Sequence, residues 1–188
     1  MAINEKLNFD IKTAENAHEN AKAPLAAAEK AYGFSPNLLG TMANHPALLN
    51  NYWDGSATLG ANSTLSGEEQ QVVFLSVSYE NNCHYCMAAH TTIGQMHKID
   101  QGVLDALRSG TTLENPKLEA LSQYTKATTI KRGRVSKEDI DAFLAAGYTQ
   151  ENLLEVITIV SLKVMSNYIN HVAQTPVDAA FSPNSWEK

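Results

Sequence analysis

The densest run of reactive side chains is Asn81-Asn82-Cys83-His84-Tyr85-Cys86-Met87-Ala88-Ala89-His90, which holds both cysteines of the chain. On a helix turning 100° per residue, Cys86 lies about 60° from Cys83 and His90 about 20° from it, within about 10.5 Å of axial rise. The three side chains therefore share one face. Asn82 is the expected N-cap, which puts both cysteines in a first turn where free backbone N–H groups and the positive dipole end favour thiolate over thiol. His90, one turn beyond Cys86, is placed to accept the thiol proton or to stabilise the thiolate. The chemistry that follows is that of an activated dithiol. Covalent haem attachment is excluded because Met87 stands where C-x-x-C-H needs histidine. A zinc site formed by Cys83, Cys86, His90 and a distant fourth ligand such as His171 stays open, although the chain has no second C-x-x-C and no H-x₃₋₅-H pair. So does a reading in which the thiols and His90 are simply small buried side chains.

The rest of the composition narrows the setting. The chain has 188 residues, 44% apolar, with 14 basic and 20 acidic side chains and a net charge of −6, as in one soluble globular domain. At that length a core of ordinary size forms without disulfides or structural metal, so stability does not explain the cysteines. An acidic chain whose only arginines are Arg108, Arg132 and Arg134 lacks the basic stripe of a nucleic-acid surface. The first residues show no apolar leader, and no stretch approaches the roughly 18 apolar residues of a membrane span. Together with two adjacent thiols, this makes a reducing, cytoplasmic location the expectation.

The elements that must position the dithiol read as helices throughout. Residues 13–31 are rich in Ala, Glu and Lys, with Pro24 expected to open a second segment and Gly33 to stop it. Phe34-Ser35-Pro36 leads into a short helix, and 47–61 supplies another. Ser66 followed by Glu69 is a capping box that starts a helix running to about Glu80. The cysteine helix then extends to about Lys98, and further helices are expected from Asp100 to Gly110, over 116–131 and over 136–146. The segment from Thr149 to about Ala173 has nine apolar residues in the thirteen from Leu153 to Met165. Its β-branched run Val156-Ile157-Thr158-Ile159-Val160 suits a strand locally, but its length makes it a buried helix. Lys163, Asn167 and His171 form a polar stripe along it. The expected fold class is all-α: a single domain over 1–188, with an N-terminal helical extension over 1–30 and a C-terminal tail over 175–188.

The segment from Glu69 to His90, EQQVVFLSVSYENNCHYCMAAH, resembles the core of the carboxymuconolactone decarboxylase and alkylhydroperoxidase AhpD-like family, in particular its peroxidase-related branch. The resemblance continues through Gly33–Leu39, Pro116–Leu121 and Asn167–Phe181, and its specific part is C-x-x-C-x-x-x-H. It implies an AhpD-like helical bundle and a thiol-dependent hydroperoxidase or disulfide oxidoreductase of peroxiredoxin type, without cofactor or metal. It further implies a hydroperoxide substrate, a dithiol reductant, and a homo-oligomer, whether dimer, trimer or hexamer. By the resemblance, Cys86 attacks the peroxide, Cys83 resolves the sulfenic acid to a disulfide, and His90 helps to deprotonate the thiol. The helix-terminus argument taken alone favours Cys83 as the more acidic thiol.

Family members commonly carry a glutamate twelve residues before the first cysteine as part of a proton relay. This chain has Gln71 there, and an amide takes no proton at neutral pH. Either Glu69 or Glu80 serves instead, or the relay is weakened; His171, in a family-like Asn-His pair, is a further relay candidate. The lactone decarboxylase chemistry after which the family is named needs no dithiol, and a redox-sensing or zinc-holding module is the non-enzyme alternative.

Overall fold

The computed structural model describes residue 7 and residues 9–188. Among them are nine α-helices: α1 Glu19–Tyr32, α2 Asn37–Met42, α3 Pro46–Asn62, α4 Gly67–Glu80, α5 His84–Met96, α6 Gln101–Ser109, α7 Pro116–Ile130, α8 Lys137–Ala145 and α9 Gln150–Ala173. A 3-10 turn, Ser182–Asn184, follows in the tail, and no strand occurs among the described residues. The expected N-terminal extension falls partly outside the described residues. No helix among them is long and apolar enough to cross a membrane.

Local chemistry fixes the ends of the helices that matter for the dithiol. Ser66 and Glu69 form the reciprocal capping box at the start of α4, and Thr149 with Asn152 forms its counterpart at α9, each satisfying N–H groups that a helix start leaves unpaired. The β-branched run of α9 is helical because its inward face is buried between neighbouring helices: Val156 and Ile159 are fully buried and Val160 nearly so, while Ile157 and Thr158 point outward, and such burial outweighs a propensity deficit of a few tenths of a kcal/mol per residue, about the spread among ordinary residues.

Two expectations are corrected. Pro24 does not open a new segment; it lies inside α1. A proline there removes the N–H that would bond the Asn20 carbonyl, and Asn50 Nδ2 donates to that carbonyl at 3.1 Å instead, so the helix runs through. The N-cap of α5 is Cys83 rather than Asn82, which takes the left-handed conformation at φ +53°. Asparagine tolerates that region better than most residues, and it turns the chain sharply between α4 and α5. Cys83 thus stands at the helix boundary and Cys86 at the third helical position.

The apolar interior has two lobes. One, formed largely by α4 and α6–α9, contains Val72, Val73, Leu121 and Ile159, with Phe143 between Tyr124 and Tyr148 at ring separations of 4.6 and 4.5 Å. The other lies among α1, α2, α3 and α5; it contains Leu25, Leu39, Met42 and Leu49 and both cysteines. The two lobes meet where α4, α5 and α9 pack on one another. Gly55 lets α3 approach α9 closely: a Cβ there would lie 2.8 Å from Leu162 Cδ2.

Candidate active site

Cys86 and His90 project from α5 towards α9, and the side chains that meet them were distant in sequence. Asn170 Nδ2 lies 3.3 Å from Cys86 Sγ and 3.7 Å from Cys83 Sγ, donating to both sulfurs. Ser166 Oγ is 3.9 Å from Cys86 Sγ. Lys163 Nζ is 2.7 Å from His90 Nε2, and Gln71 Oε1 is 2.9 Å from His90 Nδ1. Phe74 of α4 stacks on the imidazole, centroid to centroid 4.6 Å with the planes 23° apart. Lys163, Ser166 or Asn167, and Asn170 recur at i, i+3 or i+4, and i+7, so one polar stripe on an apolar helix supplies most of the electrostatics.

The hydrogen bonds fix the imidazole tautomer. A lysine ammonium only donates, so Nε2 of His90 must accept, Nδ1 must carry the hydrogen, and Gln71 Oε1 accepts it. The residue is half-buried at the cavity, and desolvation of the ring together with the Lys163 charge holds its pKa well below the usual histidine value. It is therefore neutral, with its lone pair occupied.

The two thiols titrate in opposite directions. Burial by itself pushes the Cys86 thiol up, but a hydrogen bond from Cys83, the Lys163 charge and Ser166 outweigh it and bring the value down to about 5. Asn167 adds to this as a nearby dipole: its buried Nδ2 has no hydrogen-bond partner. Cys83 is pushed up, first because its proton is shared with Cys86 and second by burial. The same pairing raises Lys163 above the usual lysine value, the neighbouring Cys86 charge overcoming a burial penalty of opposite sign. The reduced site thus holds a thiolate, a thiol and an ammonium.

Access separates the cysteines too. A cavity of about 120 Å³ is lined by Cys86, His90 and Lys163 together with Leu38, Tyr52, Trp53 and Phe181. Both cysteines are buried, Cys86 at 1% and Cys83 at 0% exposure, but only Cys86 lines the cavity. Tyr85, beside Cys86, anchors the wall: its hydroxyl donates to Asp178 Oδ2 at 2.5 Å and accepts from the Leu38 N–H at 3.3 Å, while Asp178 accepts from the Asn37 N–H at 3.0 Å. The tail is thereby tied to the start of α2, over the cavity.

Of the residues considered for proton relay, Gln71 is the one that touches His90. Glu69 is held by the Ser66 cap and by Lys117 at 2.9 Å. Glu80 sits half-buried in the last turn of α4, and His171 is exposed with its ring 6.5 Å from Tyr168. Both ring nitrogens of His90 are engaged, so Cys83, Cys86 and His90 are not presented as a ligand set. Among the described residues no group of three His, Cys, Asp or Glu side chains is arranged to hold a metal ion. Of the polar stripe legible in the sequence, Lys163 and Asn167 face the site while His171, the member expected to reach the cysteine helix, points away; Ser166 and Asn170, on the inner face, carry no local signal that ties them to the sulfurs.

No protein-family model and no curated protein matches the chain. Solved structures do. The alkylhydroperoxidase AhpD core of an uncharacterized peroxidase-related protein from Ralstonia eutropha JMP134 superposes with a TM-score of 0.83 at 18% identity, covering 92% of this chain and 93% of that one. An uncharacterized peroxidase-related protein from Silicibacter sp. TM1040 gives 0.79 at 16%, covering 96% and 97%. The debrominase Bmp8, a cysteine-to-alanine variant in complex with 2,3,4-tribromopyrrole, gives 0.80 at 18%, covering 98% and 97%. At these identities the likeness establishes the fold, which is the AhpD-like helical fold.

Proposed function

We propose that the protein is a thiol-dependent peroxidase or dithiol oxidoreductase of the AhpD-like type, acting through Cys86 and Cys83. The observation that carries this reading is the asymmetry of the pair: Cys86 lines the cavity as the more acidic thiol, and Cys83 does not line it and has its pKa raised. The Cys86 thiolate attacks the distal oxygen of a hydroperoxide. The O–O bond breaks, a sulfenic acid forms on Cys86, and the alcohol leaves after taking one proton. Cys83 then attacks the sulfenic sulfur, releasing water and closing the Cys83–Cys86 disulfide. An external dithiol restores both thiols. His90 takes part by orienting the charge beside the sulfur.

The cavity supports an organic rather than a purely aqueous substrate. Its walls are chiefly apolar, and about 120 Å³ approaches the roughly 150 Å³ of an apolar cavity that takes up benzene. The test is hydroperoxide consumption with dithiothreitol, using hydrogen peroxide and cumene hydroperoxide. Wild type should turn over, while Cys86→Ser and Cys83→Ser should lose at least about 100-fold. Turnover that survives Cys86→Ser ends this reading.

A second reading is favoured by the same aromatic-walled cavity and the fold shared with a debrominase. Reductive debromination of a haloaromatic consumes the same two electrons: the dithiol becomes a disulfide, carbon gains hydrogen, and bromide and a proton are released. Bromide release from 2,3,4-tribromopyrrole, measured beside peroxide consumption, decides between them.

Self-association belongs to the proposal. Leu154, Ile157, Tyr168 and Val172 are exposed, and at 100° per residue they fall on one outer face of α9. Sedimentation should give an oligomer that Leu154→Glu with Ile157→Glu dissociates; a wild-type monomer at 100 μM removes this part.

A further inference from the structure

Lys163 is 2% exposed and forms no ion pair with a carboxylate among the described residues. The groups facing it are Cys86, Cys83 and His90 from α5, Phe74 from α4 with its ring centroid at 5.5 Å, and Tyr52 from α3, with Tyr32 of α1 across the cavity. Gln71 lies behind His90. At neutral pH only a sulfur among these can be negative, so the Cys86 thiolate is the lysine's counter-ion. A buried ammonium left without a counter-ion is strongly disfavoured. Closing the disulfide removes that counter-ion.

We propose that Lys163 carries the proton through the whole dithiol–disulfide cycle, in place of the carboxylate relay that Gln71 cannot provide. The inference rests on the reading of Cys86 and Cys83 as the redox pair. In the reduced site Lys163 holds the proton that left Cys86. When the thiolate attacks the peroxide, that proton goes to the departing alkoxide and the amine becomes neutral. When Cys83 displaces hydroxide from the sulfenic acid, the thiol proton completes the water, passing by way of the amine. The sum is thiolate, thiol, ammonium and ROOH giving disulfide, neutral amine, ROH and water, with no proton exchanged with solvent. On reduction by an external dithiol the amine takes up the proton of the re-formed Cys86 thiol. His90, its lone pair directed at Nζ and its N–H tied to an amide that takes no proton, aims the lysine and closes the chain behind it.

The experiment measures protons directly on the wild-type protein. Reduced protein in weak buffer at pH 7.5 is oxidised by one equivalent of diamide, with an indicator dye following proton uptake and the 240 nm band following thiolate. Diamide becomes its hydrazine by taking the Cys83 proton and the Lys163 proton. The expected result is loss of one thiolate per site with uptake near zero. Uptake of one proton per disulfide shows that Lys163 stays charged and overturns the proposal, as does a reduced protein with no thiolate band.

A second arm compares Lys163→Arg, whose guanidinium keeps the charge but does not release a proton, with Lys163→Met. The arginine variant should retain rapid Cys86 alkylation at pH 6, take up one proton per disulfide, and lose about 100-fold or more in turnover, the usual worth of a positioned acid–base group. The methionine variant should lose the alkylation as well. Wild-type turnover in Lys163→Arg refutes the role. Because diamide needs no peroxide, absence of peroxidase turnover would sink the function reading while this proton count still decides the role of Lys163.

Discussion

The division of labour between the cysteines is open to a test whose size follows from the site. Cys86 is brought from an ordinary 9.0 down to about 5. At pH 6 it is therefore about 90% thiolate, whereas the same residue in the unfolded chain is about 0.1% thiolate, a ratio of roughly 900. At pH 9 the ratio is only about 2. Low-pKa thiolates are intrinsically weaker nucleophiles, by about 40- to 100-fold over this span, and burial slows any reagent. Both factors act alike at each pH, so they cancel from the change in the ratio. Cys83→Ser isolates Cys86 while keeping a hydroxyl donor where the Cys83 thiol stood. Iodoacetamide alkylation of that variant, folded against urea-unfolded and quantified by mass spectrometry, should show the folded-to-unfolded rate ratio falling about 450-fold between pH 6 and pH 9. A change below about 10-fold would refute the thiolate assignment. So would a Cys86→Ser variant in which Cys83 shows the same low midpoint.

Further outcomes follow from the same contacts. The Cys86 pKa is depressed on folding, so the stability it contributes is fully present above 9.0 and is lost as pH falls through about 5; wild type should gain about 2 kcal/mol more than Cys86→Ser between pH 5 and pH 7 in urea denaturation, and equal gains contradict the ion pair. Tyr85→Phe leaves the buried Asp178 carboxylate without its shortest donor and should cost about 1–3 kcal/mol by calorimetry; no change in Tm would show that the tail is not anchored there. Gln71→Glu keeps the acceptor for His90 Nδ1–H and adds a charge, so the His90 proton resonances should titrate at higher pH than in wild type without any rise in turnover; increased turnover would mean that a carboxylate relay was limiting. Ser56→Phe, at the cavity wall, should raise KM for cumene hydroperoxide while sparing hydrogen peroxide, and an equal effect on both would place the organic substrate elsewhere.

Much of the helical framework was legible in the chain because helix starts and stops are local events. Ser66 with Glu69 and Thr149 bond N–H groups within three residues of themselves, and Gly33 and Gly110 end helices at positive φ. Pro24 and Asn82 misled for the complementary reason. The helix continues through Pro24 because Asn50, thirty residues from Asn20, takes up the freed Asn20 carbonyl, and Asn82 adopts a turn conformation set by the packing of α4 on α5.

By itself the sequence determined an all-helical chain and a C-x-x-C-x-x-x-H segment whose period puts two thiols and an imidazole on one face, because bond geometry and helical period act over a few residues. Only the tertiary structure decided what that face meets. Packing α9 against α5 brings Lys163 to His90, and Ser166 and Asn170 to the sulfurs, across some 70 to 90 residues of chain, and it leaves Cys86 on the cavity and Cys83 away from it. Which thiol ionises, and whether His90 is a base or a support for a lysine, depends on burial and on charges from other helices. These are sums over neighbours in space that no window of the sequence contains.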